Sequence, residues 1–578
     1  VKEWSPPVTN PVSGVVHRQL VEQTYDAAGN LTMVTSSDVG GSTEPDAARQ
    51  VLYTYDDADR MVAETTVGFG STLVEYNAAG AVTAVIDQLG RRTATEYDLL
   101  GRPVREFVVA DPGQGPAVDV TNWLRTYDVD GRIATATDAL GRVTRYVYDA
   151  AGRATTTTLQ GFHDPGGAVR DIVLLQVVYD AAGNVVQRTS GNGARVELFT
   201  YDQAGRLLVE TLDPAGVNRL TSYTYDAAGR ATSAALTDGT NTESTSYSYD
   251  PAGRLSTASR DNGLNDLTTT YLYDQRGLQT GIINPRGNAA GATPADFTTN
   301  AIYDELGRPS AVLQPPVTTY ANGTTAVTGR PTVTNGYNTF GDPTDQIDAR
   351  GNVTTHAYDQ RGLMTGTQYP ADTTPSAVLV QPTEAFTFDN AGNLVARADR
   401  RGYTTTYGLD YANRVVTITA ASSPIGQPTT HFEYDEVGQR TASVDPTGAR
   451  SEVGYDDLGR MRSTTDTVRQ PGGPDLNYTW LYEHDDLGNQ TKATSPEGRQ
   501  IVQTFDGAAQ LTSATDGAGN TTTFEHDVAG RVTLTVDPLG RQHETTFDLV
   551  GRPVTDLSLI HISEPTRRTP ISYAVFCL

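Results

Sequence analysis

The stretch GRVTRYVYDAAGR, residues 141–153, contains the pattern that recurs along most of this sequence. In its first half the residues alternate, so that in an extended strand Val143 and Val147 lie on one face and Tyr146 and Tyr148 on the other. Its second half, Tyr-Asp-Ala-Ala-Gly-Arg, is typical of a type I turn. The Asp side chain accepts a hydrogen bond from the N–H two residues on, and the Gly adopts a positive φ and closes a G1 bulge. The stretch therefore predicts a strand that runs into a tight hairpin turn.

The motif Tyr-Asp-x-x-Gly-Arg/Asn dominates the chain. We count about 22 copies, including degenerate ones in which another ring replaces Tyr, and successive rings are often about 21 residues apart. The residues that we predict to build the structural turns are clearest in five copies: Tyr97, Asp98, Gly101 and Arg102; Tyr127, Asp128, Gly131 and Arg132; Tyr148, Asp149, Gly152 and Arg153; Tyr225, Asp226, Gly229 and Arg230; and Tyr455, Asp456, Gly459 and Arg460.

A second turn signal, Asp-x-x-Gly, follows the ring by about 11 residues, as at Asp87, Asp138 and Asp537. One unit therefore contains two turns and two short strands. Because a single hairpin of this size is unstable in water, the units must pair edge to edge. The sequence predicts an all-β fold with one long antiparallel sheet of roughly 40 strands, which twist should make coil. The pattern leaves open whether the sheet coils into a solid solenoid or a hollow shell.

The Arg after each turn Gly has two structural roles open to it, pairing with turn carboxylates or lying over Tyr rings. We favour a structural role over ligand binding. Stacked repeats should also align the rings of Tyr-x-Tyr pairs into ladders. Six insertions rich in Pro, Gly and Thr are predicted to be loops outside the repeat frame: residues 36–50, 108–122, 160–170, 314–335, 370–383 and 466–477.

Composition excludes several classes of protein. The formal net charge of -26 argues against a nucleic-acid binder, which needs clustered Lys and Arg to contact phosphates. A single cysteine excludes a disulfide framework and a Cys-rich metal site. No apolar run approaches the length of a membrane span.

No catalytic, cofactor-binding or metal-binding constellation is recognised, so the chain is not expected to be an enzyme. The sequence has no HExxH, GxSxG or P-loop, and turn capping explains the many Asp residues better than calcium binding does. His484 and His526 occupy the ring position of the repeat. His163 and Asp164, which lie in an insertion, form the only His-Asp pair in a predicted loop.

Both ends of the sequence are unusual. The chain starts at Val1 without a signal peptide, so the natural N-terminus is expected to be missing. After Asp556 the composition changes abruptly, and residues 557–578 resemble a translated sequencing adapter. We therefore divide the chain into a partial leading segment, residues 1–24, the repeat array, residues 25–556, and a C-terminal artefact, residues 557–578.

The YDxxGR motifs and their period resemble the YD repeats of the Rhs family, and the resemblance extends from Tyr25 to about Asp556. It implies that the sheet winds as a spiral strip into a hollow shell. In toxin members of that family the shell encloses a variable C-terminal toxin. The segment YDPAGRLSTASRDNG, which begins at Tyr249, shares only the opening of the family's self-cleaving core, so we place no autoprotease here.

The resemblance implies a structural shell of a secreted toxin, which houses and delivers a C-terminal toxin domain. The expected partners are that enclosed toxin and the secretion apparatus, and the expected location is secreted or at the cell surface. The alternative is a cell-surface or wall-associated array whose Tyr rings and loops contact glycans or other surface partners.

Overall fold

The computed structural model describes residues 1–558 except 42–44, 112–115, 117, 264–265, 322–324, 374–378, 423–425 and 471–472. The strands of the first half are β1 Lys2–Trp4, β2 Val8–Thr9, β3 Val16–His17, β4 Gln19–Tyr25, β5 Leu31–Asp38, β6 Arg49–Tyr55, β7 Met61–Thr66, β8 Gly70–Tyr76, β9 Val82–Ile86, β10 Arg92–Tyr97, β11 Pro103–Val108, β12 Val120–Tyr127, β13 Ile133–Asp138, β14 Val143–Tyr148, β15 Ala154–His163, β16 Val169–Tyr179, β17 Val185–Ser190, β18 Arg195–Tyr201, β19 Leu207–Leu212, β20 Arg219–Tyr225, β21 Ala231–Thr237, β22 Thr242–Tyr249, β23 Leu255–Arg260, β24 Leu267–Tyr273 and β25 Gln279–Ile283.

Those of the second half are β26 Thr298–Tyr303, β27 Pro309–Leu313, β28 Val317–Ala321, β29 Thr325–Gly329, β30 Thr332–Tyr337, β31 Pro343–Ile347, β32 Val353–Tyr358, β33 Met364–Gln368, β34 Asp372–Thr373, β35 Leu379–Val380, β36 Thr383–Phe388, β37 Leu394–Ala398, β38 Thr404–Leu409, β39 Val415–Thr419, β40 Thr429–Tyr434, β41 Arg440–Val444, β42 Arg450–Tyr455, β43 Met461–Val468, β44 Leu476–His484, β45 Gln490–Thr494, β46 Gln500–Phe505, β47 Leu511–Thr515, β48 Thr521–His526, β49 Val532–Val536, β50 Gln542–Phe547 and β51 Pro553–Ser558. Short 3₁₀-helices cover Gly191–Gly193, Pro285–Asn288 and Pro294–Phe297.

The all-β prediction is confirmed. The strands form one antiparallel sheet of 45 strands, in which each strand pairs with its neighbours in the sequence, as β13 does with β12 and β14. The remaining strands form three separate hairpins, β2–β3, β28–β29 and β34–β35. Where a small hairpin interrupts the order, the sheet continues across it, so that β27 pairs with β30 and β33 with β36.

Strand β14 shows how the sequence pattern becomes sheet geometry. Arg145 and Val147 are exposed, whereas Tyr146 and Tyr148 on the opposite face are half-buried. The pairing of β14 with β15 shifts register between Val147 and Tyr148, where the turn adds its extra residue. The shift is the bulge that the Gly-containing turn predicts.

The prediction that the insertions are loops is wrong in part. Residues 160–170 extend strands β15 and β16 into a longer hairpin, and residues 314–335 contain β28, β29 and the start of β30. Residues 370–383 include β34 and β35, and strands β43 and β44 reach into residues 466–477. Their Thr and Val content favours strands, and an antiparallel hairpin can lengthen without disturbing its neighbours.

The array divides into two compact units. The first contains Val1–Ile172, Ser248–Ala258 and Thr268–Thr479, and the second contains Val173–Tyr247, Ser259–Leu267 and Trp480–Leu578. The largest fully buried side chains in the described part of the chain are Phe162 and Ile172. Most strand residues are only half-buried, as expected for thin layers without a large core.

Strand β51 contains the last described residues. Leu557 and Ser558 extend this strand opposite Glu544 and His543, so the first two residues of the proposed artefact continue the sheet. Backbone pairing at an exposed edge is available to any extended sequence, and the pairing therefore leaves the origin of these residues untested. Residues 559–578 lie outside the described residues. No helix among the described residues is long and apolar enough to cross a membrane.

Candidate functional site

The repeated turn has the hydrogen bonds that its sequence predicts. In the copy after Tyr97, the N–H of Gly101 donates to the carbonyl of Asp98 at 3.0 Å, and the N–H of Asp98 donates to the carbonyl of Arg102 at 3.0 Å. Asp98 Oδ1 accepts the N–H of Leu100, two residues on, at 2.9 Å. It also accepts the N–H of Arg102 at 3.0 Å, a second bond that the sequence did not predict. One carboxylate oxygen thus fixes both halves of the turn.

The same geometry recurs in the other four copies that the sequence singled out. The turn glycines have φ between 77° and 83°, a region that favours glycine. In each copy the guanidinium of the last residue lies 2.7 Å from the carboxylate of the first. These copies are Asp98 and Arg102, Asp128 and Arg132, Asp149 and Arg153, Asp226 and Arg230, and Asp456 and Arg460.

Several turn carboxylates titrate at lower pH than usual. The N–H of the residue after the glycine, followed by its guanidinium, lowers the pKa of Asp98, Asp149 and Asp226 below the usual range of aspartate. Both groups stabilise the charged form of the carboxyl. The turns are therefore held by ionised carboxylates at neutral pH.

The Tyr of each turn bonds to the preceding repeat. The hydroxyl of Tyr127 donates to the carbonyl of Pro103 at 2.6 Å, and that of Tyr148 donates to the carbonyl of Ile133 at 2.8 Å. Both acceptors directly follow the Arg of the previous turn, and the same bond occurs at Tyr97, Tyr225 and Tyr455. Sequence analysis predicted only ring ladders, and the acceptor lies 15 to 24 residues before the ring, so no fixed spacing signalled this bond.

The Arg of several turns also reaches the next repeat. The guanidinium of Arg102 lies 4.5 Å from the ring centroid of Tyr127, and that of Arg132 lies 4.9 Å from the centroid of Tyr148. In later copies Nη1 also donates to the next turn, as from Arg254 to the carbonyl of Asp274 at 2.9 Å. The two roles that the sequence left as alternatives, ion pairing and ring contact, therefore occur together.

Two degenerate turns keep these contacts with a displaced arginine. In DQRGL at Asp274 a leucine follows the glycine, but Arg276, two residues earlier, pairs with Asp274 at 3.0 Å. Arg276 Nη1 donates to the carbonyl of Asp304 in the next turn at 2.8 Å. Arg361 makes the equivalent bonds to Asp359 and to the carbonyl of Asp389. What recurs is the bridge from one turn to the next rather than a fixed position of the arginine.

In the first unit, the two edges of the sheet meet. The turns after the ring form one edge, and the Asp-x-x-Gly turns or their inserted equivalents form the other. Arg91 Nη1, from a second-type turn, donates to Asn413 Oδ1 at 2.6 Å in a ring-type turn 322 residues later. His163 Nδ1 lies 2.9 Å from Asp457 Oδ2, 294 residues away. His163 is therefore part of this contact, which we call the seam.

The second unit has a seam of the same kind. Arg195 Nε donates to the carbonyl of Gly507 at 2.9 Å, 312 residues later, and Glu243 pairs with Arg531, 288 residues later. Gly191 lies so close to Leu487 that an added Cβ would approach the leucine Cδ2 to 2.5 Å. In each unit, one edge of the sheet packs against the opposite edge about 300 residues along the chain.

Only one group of metal-capable side chains comes together among the described residues, namely His17, Asp38 and Asp46. It lies at the seam of the first unit, beside Thr339. The predicted turn residues do not converge on a shared site. Each set of four residues builds its own turn, so the predicted residues form many similar turns and not one site.

The comparisons with known proteins agree with this geometry. The family model RHS Repeat matches residues 76–106, 127–168, 179–217, 225–264, 388–425 and 505–542. Six segments of the chain therefore match the RHS repeat. It is 29% identical over 181 residues to Double-stranded DNA deaminase toxin A of Burkholderia cenocepacia (strain H111), a match that covers 30% of this chain and 12% of that protein.

Solved structures share the fold. The crystal structure of TcdB2-TccC3-TEV is similar over 92% of this chain, with a TM-score of 0.59 and 16% identity. That of TcdB2-TccC3 is similar over 92%, with a TM-score of 0.57 and 14% identity. This chain spans 31% and 33% of those two chains, about a third of their length.

Proposed function

We propose that this array is the structural shell of a secreted RHS-type toxin, which houses and delivers a toxin domain located C-terminal to the repeats. The array itself performs no chemistry in this proposal. Its partners are the enclosed toxin domain and a secretion apparatus that exports the assembly.

The seam carries this proposal. In each unit, opposite edges of the sheet are joined by hydrogen bonds and ion pairs between residues 288 to 322 positions apart. A strip one sheet thick that closes edge to edge in this way would form a wall. The scarcity of fully buried side chains supports a wall, because a solid stack of sheets would bury far more apolar surface.

The relatives add independent support. The curated relative is named a toxin, and the similar crystal structures contain TcdB2-TccC3 with and without a further named segment. The acidic surface, with a net charge of -26, makes nucleic acid an unsuitable partner for the wall. A toxin that acts on nucleic acid would therefore belong to the enclosed domain.

Protection from protease tests this proposal. The coding sequence should be recovered past Asp556 from the source DNA, and the full chain compared with the downstream domain expressed alone. We expect the downstream domain to resist protease in the full chain and to be cut when it is free or when the array is unfolded in urea. Equal cleavage in both settings would contradict enclosure. Equal cleavage together with saturable glycan binding would favour the alternative of a surface-binding array.

A further inference from the structure

Four oxygen and nitrogen donors converge at the seam of the first unit. His17 Nδ1, on β3, lies 3.1 Å from Asp38 Oδ2 at the end of β5 and 3.2 Å from Asp46 Oδ2. The same nitrogen lies 3.0 Å from the hydroxyl of Thr339, which belongs to a ring-type turn 322 residues later. The ligand atoms of His17, Asp38 and Asp46 all lie within 4.8 Å of one another.

A single imidazole nitrogen cannot serve three oxygens equally, because Nδ1 carries either one proton or one lone pair. The separations of 3.0–3.2 Å are close to the edge of a tetrahedron, about 3.3 Å, in which each donor binds a central zinc ion at about 2.0 Å. The three separations fit direct hydrogen bonds, and they also fit a shared central cation.

The surroundings of the carboxylates also fit a shared central cation. The side chain of Asp38 is 0% exposed, that of His17 11% and that of Asp46 25%. Asp38 Oδ1, the oxygen turned away from His17, accepts the N–H of Gly40 at 3.0 Å. Asp46 Oδ2 accepts the N–H of Thr339 at 2.8 Å. Such bonds orient metal-binding carboxylates.

The charge of the site is unbalanced without a cation. Two ionised carboxylates bring two negative charges, and one imidazole supplies one positive charge at most. A divalent ion would balance both carboxylates and leave the imidazole neutral.

A cavity adjoins the cluster at Asp46. Asp46 lines a cavity of about 380 Å³, whose wall also includes Phe69, His356 and Tyr358. Of the three proposed ligands, Asp46 is the one that lines this cavity.

We propose that His17 Nδ1, Asp38 Oδ2 and Asp46 Oδ2 bind a divalent transition-metal ion of the Zn²⁺ type, with the fourth position taken by the Thr339 hydroxyl or a water. The mixed nitrogen and oxygen donors suit Zn²⁺ better than Ca²⁺ or Mg²⁺, which prefer six or more oxygens. The bound ion would link the N-terminal strands of the unit to a turn 322 residues later and would thereby stabilise the seam.

Metal uptake by the purified full chain tests this proposal. After treatment with a chelator, the chain should bind one Zn²⁺ with a saturable isotherm in titration calorimetry, and Co²⁺ in its place should give the visible absorption of a four-coordinate site. His17→Gln and Asp46→Asn should each weaken Zn²⁺ binding at least about 10-fold. His163→Gln, which removes a seam contact outside the cluster, should leave the affinity for Zn²⁺ unchanged.

The absorption of bound Co²⁺ is measured on the unmodified chain, so the test does not depend on whether the variants fold. Absence of saturable uptake would overturn the proposal, as would uptake that the His17 and Asp46 variants do not weaken. If the melting temperature responds to pH but not to Zn²⁺, a protonated His17 bridges the two carboxylates and the metal site is refuted.

Discussion

Two copies of the repeat turn, residues 98–102 and 527–531, have the same internal bonds and different surroundings. Asp98 and Asp527 each accept the N–H groups two and four residues on, at 2.9–3.0 Å, and each pairs with the last arginine of its turn. The residue after the Asp, Leu99, is fully exposed, however, whereas Val528, at the same position of its turn, is 4% exposed. The second turn lies at a seam, where Arg531 pairs with Glu243.

The comparison separates two levels of stabilisation. The motif builds the hairpin wherever it occurs, because the bonds of Asp and Gly are local. Contacts about 300 residues away decide whether the tip of that hairpin is buried. The same substitution should therefore be harmless in one copy and severe in another.

A charge introduced at the tip of each turn should give the largest difference in stability between the two copies. Val528→Asp places a carboxylate at a buried position and should lower the free energy of unfolding of the second unit by about 4 kcal/mol. Leu99→Asp, the matched control at the same turn position, should change it by less than about 0.5 kcal/mol. Urea denaturation combined with hydrogen exchange of peptides that contain each turn measures both. Equal effects of the two substitutions would show that the seam does not bury the second tip.

Glycine at the seam gives the next contrast. Gly191 has φ +57° and an added Cβ would lie 2.5 Å from Leu487, whereas the space around Gly101, with φ +77°, is open within 4 Å. Gly101→Ala meets only the backbone cost of about 1–2 kcal/mol. Gly191→Ala adds a steric conflict and should cost about 3 kcal/mol in total.

A double-mutant cycle isolates the steric part of that cost. Leu487→Ala should recover part of the loss caused by Gly191→Ala, so the two effects should sum to more than the double variant shows. Both effects are measured by urea denaturation. If they are additive, the cost of Gly191→Ala comes from the local backbone alone and not from the contact with Leu487.

The boundary between what sequence predicted and what it missed follows the same division. The Asp cap, the glycine with positive φ and the Asp–Arg pair were predicted because their partners lie within five residues of each other. Arg91 and Asn413 were not paired in advance, because nothing in either turn encodes a partner 322 residues away. The displaced arginines at 276 and 361 show a further limit: a motif read position by position scores them as degenerate, although the bridge between turns is kept.

The tyrosine hydroxyl should contribute a smaller, local effect. Tyr127→Phe removes the bond to the carbonyl of Pro103 and should lower the free energy of unfolding by about 1 kcal/mol. Tyr146→Phe is the control, because the hydroxyl of Tyr146 makes no hydrogen bond to any residue that the structure describes. If Tyr127→Phe lowers the free energy of unfolding no more than Tyr146→Phe does, the hydroxyl contributes nothing and the ring of Tyr127 stabilises the fold by packing alone.

Acid should weaken the turns whose carboxyl has a lowered pKa. A carboxyl whose pKa is lowered in the folded chain stabilises it above the unfolded pKa, near 3.8, and this stabilisation is lost as pH falls through the folded pKa. The urea midpoint should therefore be level from neutral pH to about pH 5 and fall steadily below about pH 4. A midpoint independent of pH down to about pH 2 would show that the turn carboxylates are not more acidic in the folded chain.

Removing the charge while keeping the cap should give the smallest effect. It separates the contribution of the cap hydrogen bonds from that of the ion pair. Asn77 occupies the Asp position in a natural copy, and its Oδ1 accepts the N–H groups of Ala79 and Ala81 at 3.0 Å each. Asp98→Asn should therefore retain both backbone bonds and lose only the pairing with Arg102. At pH 7 the urea midpoint should fall slightly, and at pH 3 the variant and the parent should approach each other, because the parent carboxyl is then partly protonated. If the difference is the same at both pH values, the carboxylate acts through its shape as a cap and the ion pair contributes nothing measurable.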